Sequence, residues 1–210
     1  MAIMEIPRMR SDGRRISQPA PPLEPGTIED LLRFRERLDS DHHHRDEILE
    51  GVLVVSPLPT RWHQRAAKWL VRGLQDLCEE KGWEVADPAE VELPQSRGRI
   101  QPDVVVFRDA DSLPLMDNLM PLDHVLLVAE VVSASSIRID REVKPRACAL
   151  AGIPFYLLVD RFTDPLSVTL HGKPGDEGYA TSTTVGFGEK LHIPAPFDIS
   201  LDTAALPLPR

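Results

Sequence analysis

The chain has 210 residues, 42% of them hydrophobic, enough to bury one domain of ordinary size. No apolar run reaches the length that spans a bilayer and no N-terminal apolar segment resembles a signal peptide, so a membrane span is excluded and a cytoplasmic protein is expected. The 33 acidic residues outnumber the 24 basic ones, and the net charge of −9 opposes approach to a polyanion except at a local basic groove.

Residues 1–26 are rich in Pro, Arg and Ser, with Pro19, Pro21, Pro22 and Pro25 close together and no period, and read as a disordered lead. The domain is expected to occupy residues 27–205, with residues 206–210 as a tail. Thr27 and Asp30 form a capping-box pattern, and Ile28, Leu31, Leu32, Phe34 and Leu38 carry a short amphipathic helix. In the following run His42, His43 and His44 could bind a transition metal, but adjacent side chains diverge and no Cys or spaced His accompanies them, so a polar turn is the stronger reading. Residues 47–55 read as a hairpin turning at Glu50-Gly51.

From residue 61 to 81, Trp62, Ala66, Trp69, Leu70, Leu74, Leu77 and Cys78 recur at helical spacing, and Gly82 stops the helix. His63 stands near its start; an exposed or capping histidine is the default, and a site role the alternative. Cys78 and Cys148 fall on apolar helix faces and read as buried free thiols. Residues 83–93 form a half-exposed strand broken by Pro88, followed by a turn carrying Arg97 and Arg99. Residues 100–107 read as one strand buried on both faces around Val104-Val105-Val106, and residues 109–121 as an irregular excursion. Residues 125–132 are a second buried strand. A helix spans about 139–151, or begins near Val143 if Pro145 lies in its first turn, and Phe155 heads a third buried strand ending at Asp160. Strand, helix and strand in that order imply a parallel pair. Residues 166–193 read as an antiparallel meander that extends the sheet.

Two carboxylates interrupt the apolar runs: Asp103 at the front of one and Glu130 within another. An ionised carboxylate among valines costs several kcal/mol, on the order of 3–5, unless it is compensated. One explanation is a buried ion pair, Glu130 with Arg138 or Lys144, or a place at the strand's exposed end. The other is a divalent cation held by hard oxygens of Asp103 and Glu130, the backbone carbonyl of Val131 and water, which suits Mg²⁺ or Mn²⁺. Asp140 and Lys144, four residues apart, share one helix face behind these strands.

Several segments in consistent order carry a resemblance. Glu47-Ile48-Leu49-Glu50-Gly51, Ser56-Pro57 with His63 following, Pro102-Asp103-Val104, Glu130-Val131-Val132-Ser133, Asp140 to Lys144, and Gly152-Ile153-Pro154-Phe155-Tyr156 leading to Asp160 are together similar to the Uma2 family, a branch of the PD-(D/E)XK nuclease superfamily. The resemblance implies an α/β (α+β) restriction-endonuclease-like core, a mixed central sheet flanked by helices with a C-terminal antiparallel extension. It implies metal-dependent hydrolysis of DNA, with Asp103 and Glu130 as metal-binding acids, Glu47 as an additional ligand and Lys144 as the catalytic lysine. The superfamily pattern places a lysine where this chain has Val132. Arg97, Arg99, Arg138 and Arg141 would hold the DNA. The alternative is a non-catalytic module of the same fold that binds or regulates, as a homodimer through its apolar surface.

Overall fold

A computed structural model of the chain describes residues 27–38, 44–87, 89–114 and 118–208. The first helix, α1, is Ile28–Leu38. Its capping box forms as expected: the Asp30 N–H donates to Thr27 Oγ1 at 3.3 Å, and the Thr27 N–H to Asp30 Oδ2 at 3.1 Å. Of the histidine run, His42 and His43 lie outside the described residues, and His44 begins β1, His44–Leu49. β1 pairs antiparallel with β2, Val52–Pro57, across a turn in which Glu50 and Gly51 take φ of 51° and 75°. Two consecutive left-handed residues are what a two-residue hairpin needs, because their twist matches that of the strands.

The long helix α2, Arg61–Lys81, starts from Thr60, whose side chain accepts from the His63 N–H, and stops at Gly82 with φ of 66°. Its buried stripe is His63, Ala66, Ala67, Leu70, Leu74 and Cys78. That stripe packs on a six-stranded sheet of order β11-β10-β9-β8-β6-β3. The strands are β3 (Glu84–Ala86), β6 (Val104–Phe107), β8 (Val125–Val131), β9 (Phe155–Asp160), β10 (Ser167–Gly175) and β11 (Gly178–Gly186). The second sheet adds β4 (Glu90–Leu93), β5 (Gly98–Ile100) and β7 (Leu119–Met120) to the hairpin, in the order β2-β1-β5-β4-β7. Alternation divides β6 between two cores: Val104 and Val106 face α2, while Val105 and Phe107 join Leu93, Ile100, Cys148 and Tyr156 on the other side.

The expectation for residues 100–107 needs correction. Residues 100–107 are not a single strand: the chain leaves the ladder at residues 101–103, so that β5 belongs to one sheet and β6 to the other. Pro102 has no N–H to give a ladder, and Asp103 turns its carboxylate onto a neighbouring strand instead. The Val125 and Phe155 strands do run parallel, with Leu127 opposite Phe155 and Val131 opposite Val159. Between them lie a π-helical turn at Ile139–Val143 and the helix α3, Lys144–Leu150. The meander is also only partly as expected. β10 and β11 extend the large sheet, but β12 (Lys190–Ile193) leaves it to pair with β13 (Ile199–Asp202). The reason is packing: Leu191, Ile193, Phe197 and Leu201 cover the apolar flank of α2.

Among the described residues no helix is long and apolar enough to cross a membrane. Cys78 and Cys148 are free and buried, and burial pushes both thiols up, Cys78 to about 11. We expect neither thiol to react with an aromatic disulfide reagent at pH 8 until denaturant opens the core. Rapid titration of the native protein would contradict this packing.

Candidate active site

The break at residues 101–103 puts Asp103 where the two sheets meet. Its Oδ2 accepts from the Val131 N–H at 2.8 Å and lies 3.0 Å from His63 Nε2, and its Oδ1 accepts from Arg45 Nη1 at 2.6 Å. One carboxylate thus ties β1, β8 and α2 together. Glu130, one residue before Val131 on β8, is 2% exposed and accepts from Lys144 Nζ at 2.7 Å. Of the two ion-pair partners considered for Glu130, it is Lys144 and not Arg138 that meets it.

Lys144 is the first residue of α3, and Pro145 lies in the first turn, where its missing N–H costs nothing. The π-helical turn before it gives one extra residue per turn and keeps Asp140 and Lys144 on the inner face. Tyr156 fixes that turn by donating its hydroxyl to the Asp140 carbonyl at 2.8 Å. Lys144 Nζ also lies 2.9 Å from Glu47 Oε2 and 3.6 Å from Asp140 Oδ1. Glu47 accepts from the Gln101 N–H at 2.8 Å, and Asp140 from Ser136 Oγ. Val132 packs in the apolar cluster with Cys148 and Tyr156 at the cavity wall, so a lysine there would be buried among hydrocarbon. Lys144 delivers its ammonium to Glu130 from the following helix instead.

These side chains line one cavity of about 320 Å³, closed on one side by the residue 56–60 loop and on another by Ser133, Ser135 and Ser136. The sequence reading placed Glu47, Asp103, Glu130, Val131 and Lys144 here, and all five line the cavity. It missed Arg45 and it took His63 as exposed or capping by default. The signals existed: Arg45 is two residues before Glu47 and so on the same face of β1, and His63 precedes Ala66 and Ala67 on the buried stripe of α2. The arginines offered for DNA are elsewhere. None of Arg97, Arg99, Arg138 and Arg141 lines the cavity, and Arg141 pairs with Asp160 at 2.7 Å while Arg99 lies 3.7 Å from Glu90.

The electrostatics divide the acids into two kinds. Burial pushes the Asp103 carboxyl up, but the His63 hydrogen bond, Arg45 and the Val131 N–H outweigh it and hold Asp103 well below the usual carboxylate range. Burial raises Glu130 well above its ordinary value, against the pull of Lys144, with the neighbouring carboxylates adding to the rise. Asp140 rises to about 6, through burial first. Lys144 is pushed up despite burial, by Glu130, Glu47 and Asp140 in turn, and stays an ammonium. Four carboxylates against Arg45, Lys144 and Arg161 leave a surplus of one negative charge before His63 is counted. Protons on Glu130 and Asp140 relieve that surplus.

Hard carboxylate oxygens, a backbone carbonyl at Val131 and room for water are a donor set that fits Mg²⁺ or Mn²⁺. Among the described residues no three His, Cys, Asp or Glu side chains converge into a ready-made metal cage. Mg²⁺ does not need one, since it is commonly held by one or two carboxylates with water and phosphate completing its shell.

The fold is nuclease-like. A solved structure of "a putative nuclease belonging to DUF820" from Anabaena variabilis superposes with a TM-score of 0.67 at 15% identity, covering 86% of this chain and 97% of that one. The Uma2 family, described as "Putative restriction endonuclease", matches residues 28–205, and the chain belongs to that family. Among curated proteins none matches.

The raised Asp140 carboxyl makes stability depend on pH with a definite sign. Its folded value of about 6 lies above its ordinary 3.8, so the folded protein holds the extra proton between them. Stability is full below the lower value and falls as pH rises through the upper one. The loss is about 3 kcal/mol at roughly 1.4 kcal/mol per pH unit. Asp140→Asn avoids that loss, so urea unfolding should find it more stable than wild type at pH 8 and no more stable at pH 4. The opposite ordering would mean that Asp140 is ionised in the fold.

Proposed function

We propose that the protein is a metal-dependent endonuclease that hydrolyses phosphodiester bonds in DNA, with its active site in the cavity around Lys144. The observation that carries this reading is the gathering of Glu47, Glu130 and Asp140 around one buried lysine, with Asp103 lining the same cavity and more carboxylates there than local cations. Asp103 and Glu130 would hold Mg²⁺ or Mn²⁺ with the Val131 carbonyl, and Glu47 would join them. The ion, when bound, lowers the pKa of a coordinated water and neutralises charge at phosphate.

The chain's own residues have separate tasks. Asp103 is ionised in advance and oriented by three donors, so it offers a fixed anionic ligand. Glu130 gives up its proton on binding a cation, so affinity rises with pH. Lys144, held as an ammonium by its carboxylate neighbours, would position water and stabilise charge on the phosphate oxygens.

The assay should use closed circular DNA, both supercoiled duplex and single-stranded circles, with Mg²⁺ or Mn²⁺. Asp103→Asn and Glu130→Gln should each lower cleavage by more than about a hundredfold while circular dichroism stays native. Wild-type turnover by either variant would remove the site from the reaction. A non-catalytic binding module of the same fold would instead retain DNA affinity with no cleavage by any form.

A further inference from the structure

Three cations line the cavity, and two of them, Arg45 and Lys144, face carboxylates at 2.6 to 3.6 Å. Arg161 differs. Among the described residues it makes no ion pair, and its guanidinium lies over two rings, 5.2 Å from the Trp62 centroid and 4.6 Å from that of Phe162. The arrangement is braced from both sides. Trp62 Nε1 donates to the Pro207 carbonyl at 2.7 Å, and the turn carrying Arg161 is pinned where the Phe162 N–H donates to Asp160 Oδ1 at 2.8 Å. Phe162, against whose ring Arg161 lies, and the cavity-lining Leu58 are 38% and 63% exposed.

A partly exposed arginine held against two rings with no counter-charge can contact phosphate, since its donors are free while its position is fixed. An exposed phenylalanine next to it offers a face on which a base can stack. In B-form duplex the bases are stacked on each other and not available to that face. A duplex also brings one negative charge per about 1.7 Å, twice the linear density of one strand, to a protein of net charge −9.

Building on the nuclease reading, we propose that Arg161 and Phe162 form a nucleotide subsite on the rim of the active site. The guanidinium takes the phosphate next to the scissile one, and the ring stacks an unpaired base. The preferred substrate is then single-stranded or locally unpaired DNA. Arg161 and Phe162 are binding residues in this assignment and take no part in the chemistry.

The test is binding of a short oligonucleotide containing 2-aminopurine to the full chain, with Ca²⁺ in place of Mg²⁺ so that affinity is read without turnover. The single strand should bind at least about tenfold more tightly than the same sequence in a duplex, with quenching of the 2-aminopurine. Arg161→Gln should weaken single-strand binding about tenfold and reduce the slope of log affinity against log salt by about 0.7. Phe162→Ala should weaken it about tenfold, abolish the quenching and leave duplex binding unchanged. Both side chains are at least partly exposed, and circular dichroism checks that the variants fold. Variants that bind as tightly as wild type, or a wild type that favours duplex, would overturn this assignment and leave the carboxylate site standing. Failure of the wild type to bind any DNA would overturn both readings.

Discussion

Everything in this fold is arranged around a lysine that has no access to bulk water. Lys144 is 2% exposed, and the buried Glu47, Glu130 and Asp140 supply its counter-charge. Removing Lys144 would leave carboxylate charge without compensation in a medium of low polarity, a cost of about 3–5 kcal/mol in comparable buried pairs. The large sheet, α3 and the hairpin must therefore close together on the same group. Asp103 makes the second link, through Arg45 on β1, the Val131 N–H on β8 and His63 on α2. The two sheets meet where these two sets of bonds adjoin, and the cavity lies at that junction.

The arrangement keeps the acids in different states. Asp103, with three donors, is an anion; Glu130 and Asp140, with fewer donors and more burial, hold protons more tightly. A site that merely closed an ion pair would need one carboxylate for one lysine. The extra acids raise each other's proton affinity, which is unfavourable to a closed ion pair and favourable to a pocket that exchanges protons for a cation. This is the physical reason to prefer a metal-dependent reaction over a purely structural cluster.

Much of this was readable from the residues in order. Glu130 was conspicuous because it interrupts Val-Leu-Leu-Val-Ala and Val-Val, where burial without a partner is forbidden by cost. The hairpin was fixed by Glu50-Gly51, and the parallel pair by two apolar runs flanking a helix. Arg45 was hidden in a polar run beside three histidines, because nothing local distinguishes a partner of a carboxylate 58 residues away. The split of residues 100–107 was obscured for a similar reason. Apolar content alone does not say which sheet a strand joins, and the decisive feature was the Pro102-Asp103 pair reaching for Val131. The departure of β12 from the meander follows from the apolar flank of α2, a tertiary demand with no signature in alternation.

The central claim is that surplus carboxylate charge around Lys144 is kept for a divalent cation. Calorimetric titration of the metal-free protein with Mn²⁺, repeated at pH 6 and pH 8 beside Glu130→Gln, addresses it without requiring a substrate. The account predicts binding by the wild type that strengthens from pH 6 to pH 8 with release of protons, and loss of that binding in the variant. Wild-type protein that takes up no Mn²⁺ at millimolar concentration, or a Glu130→Gln protein that binds it equally well, would contradict the account.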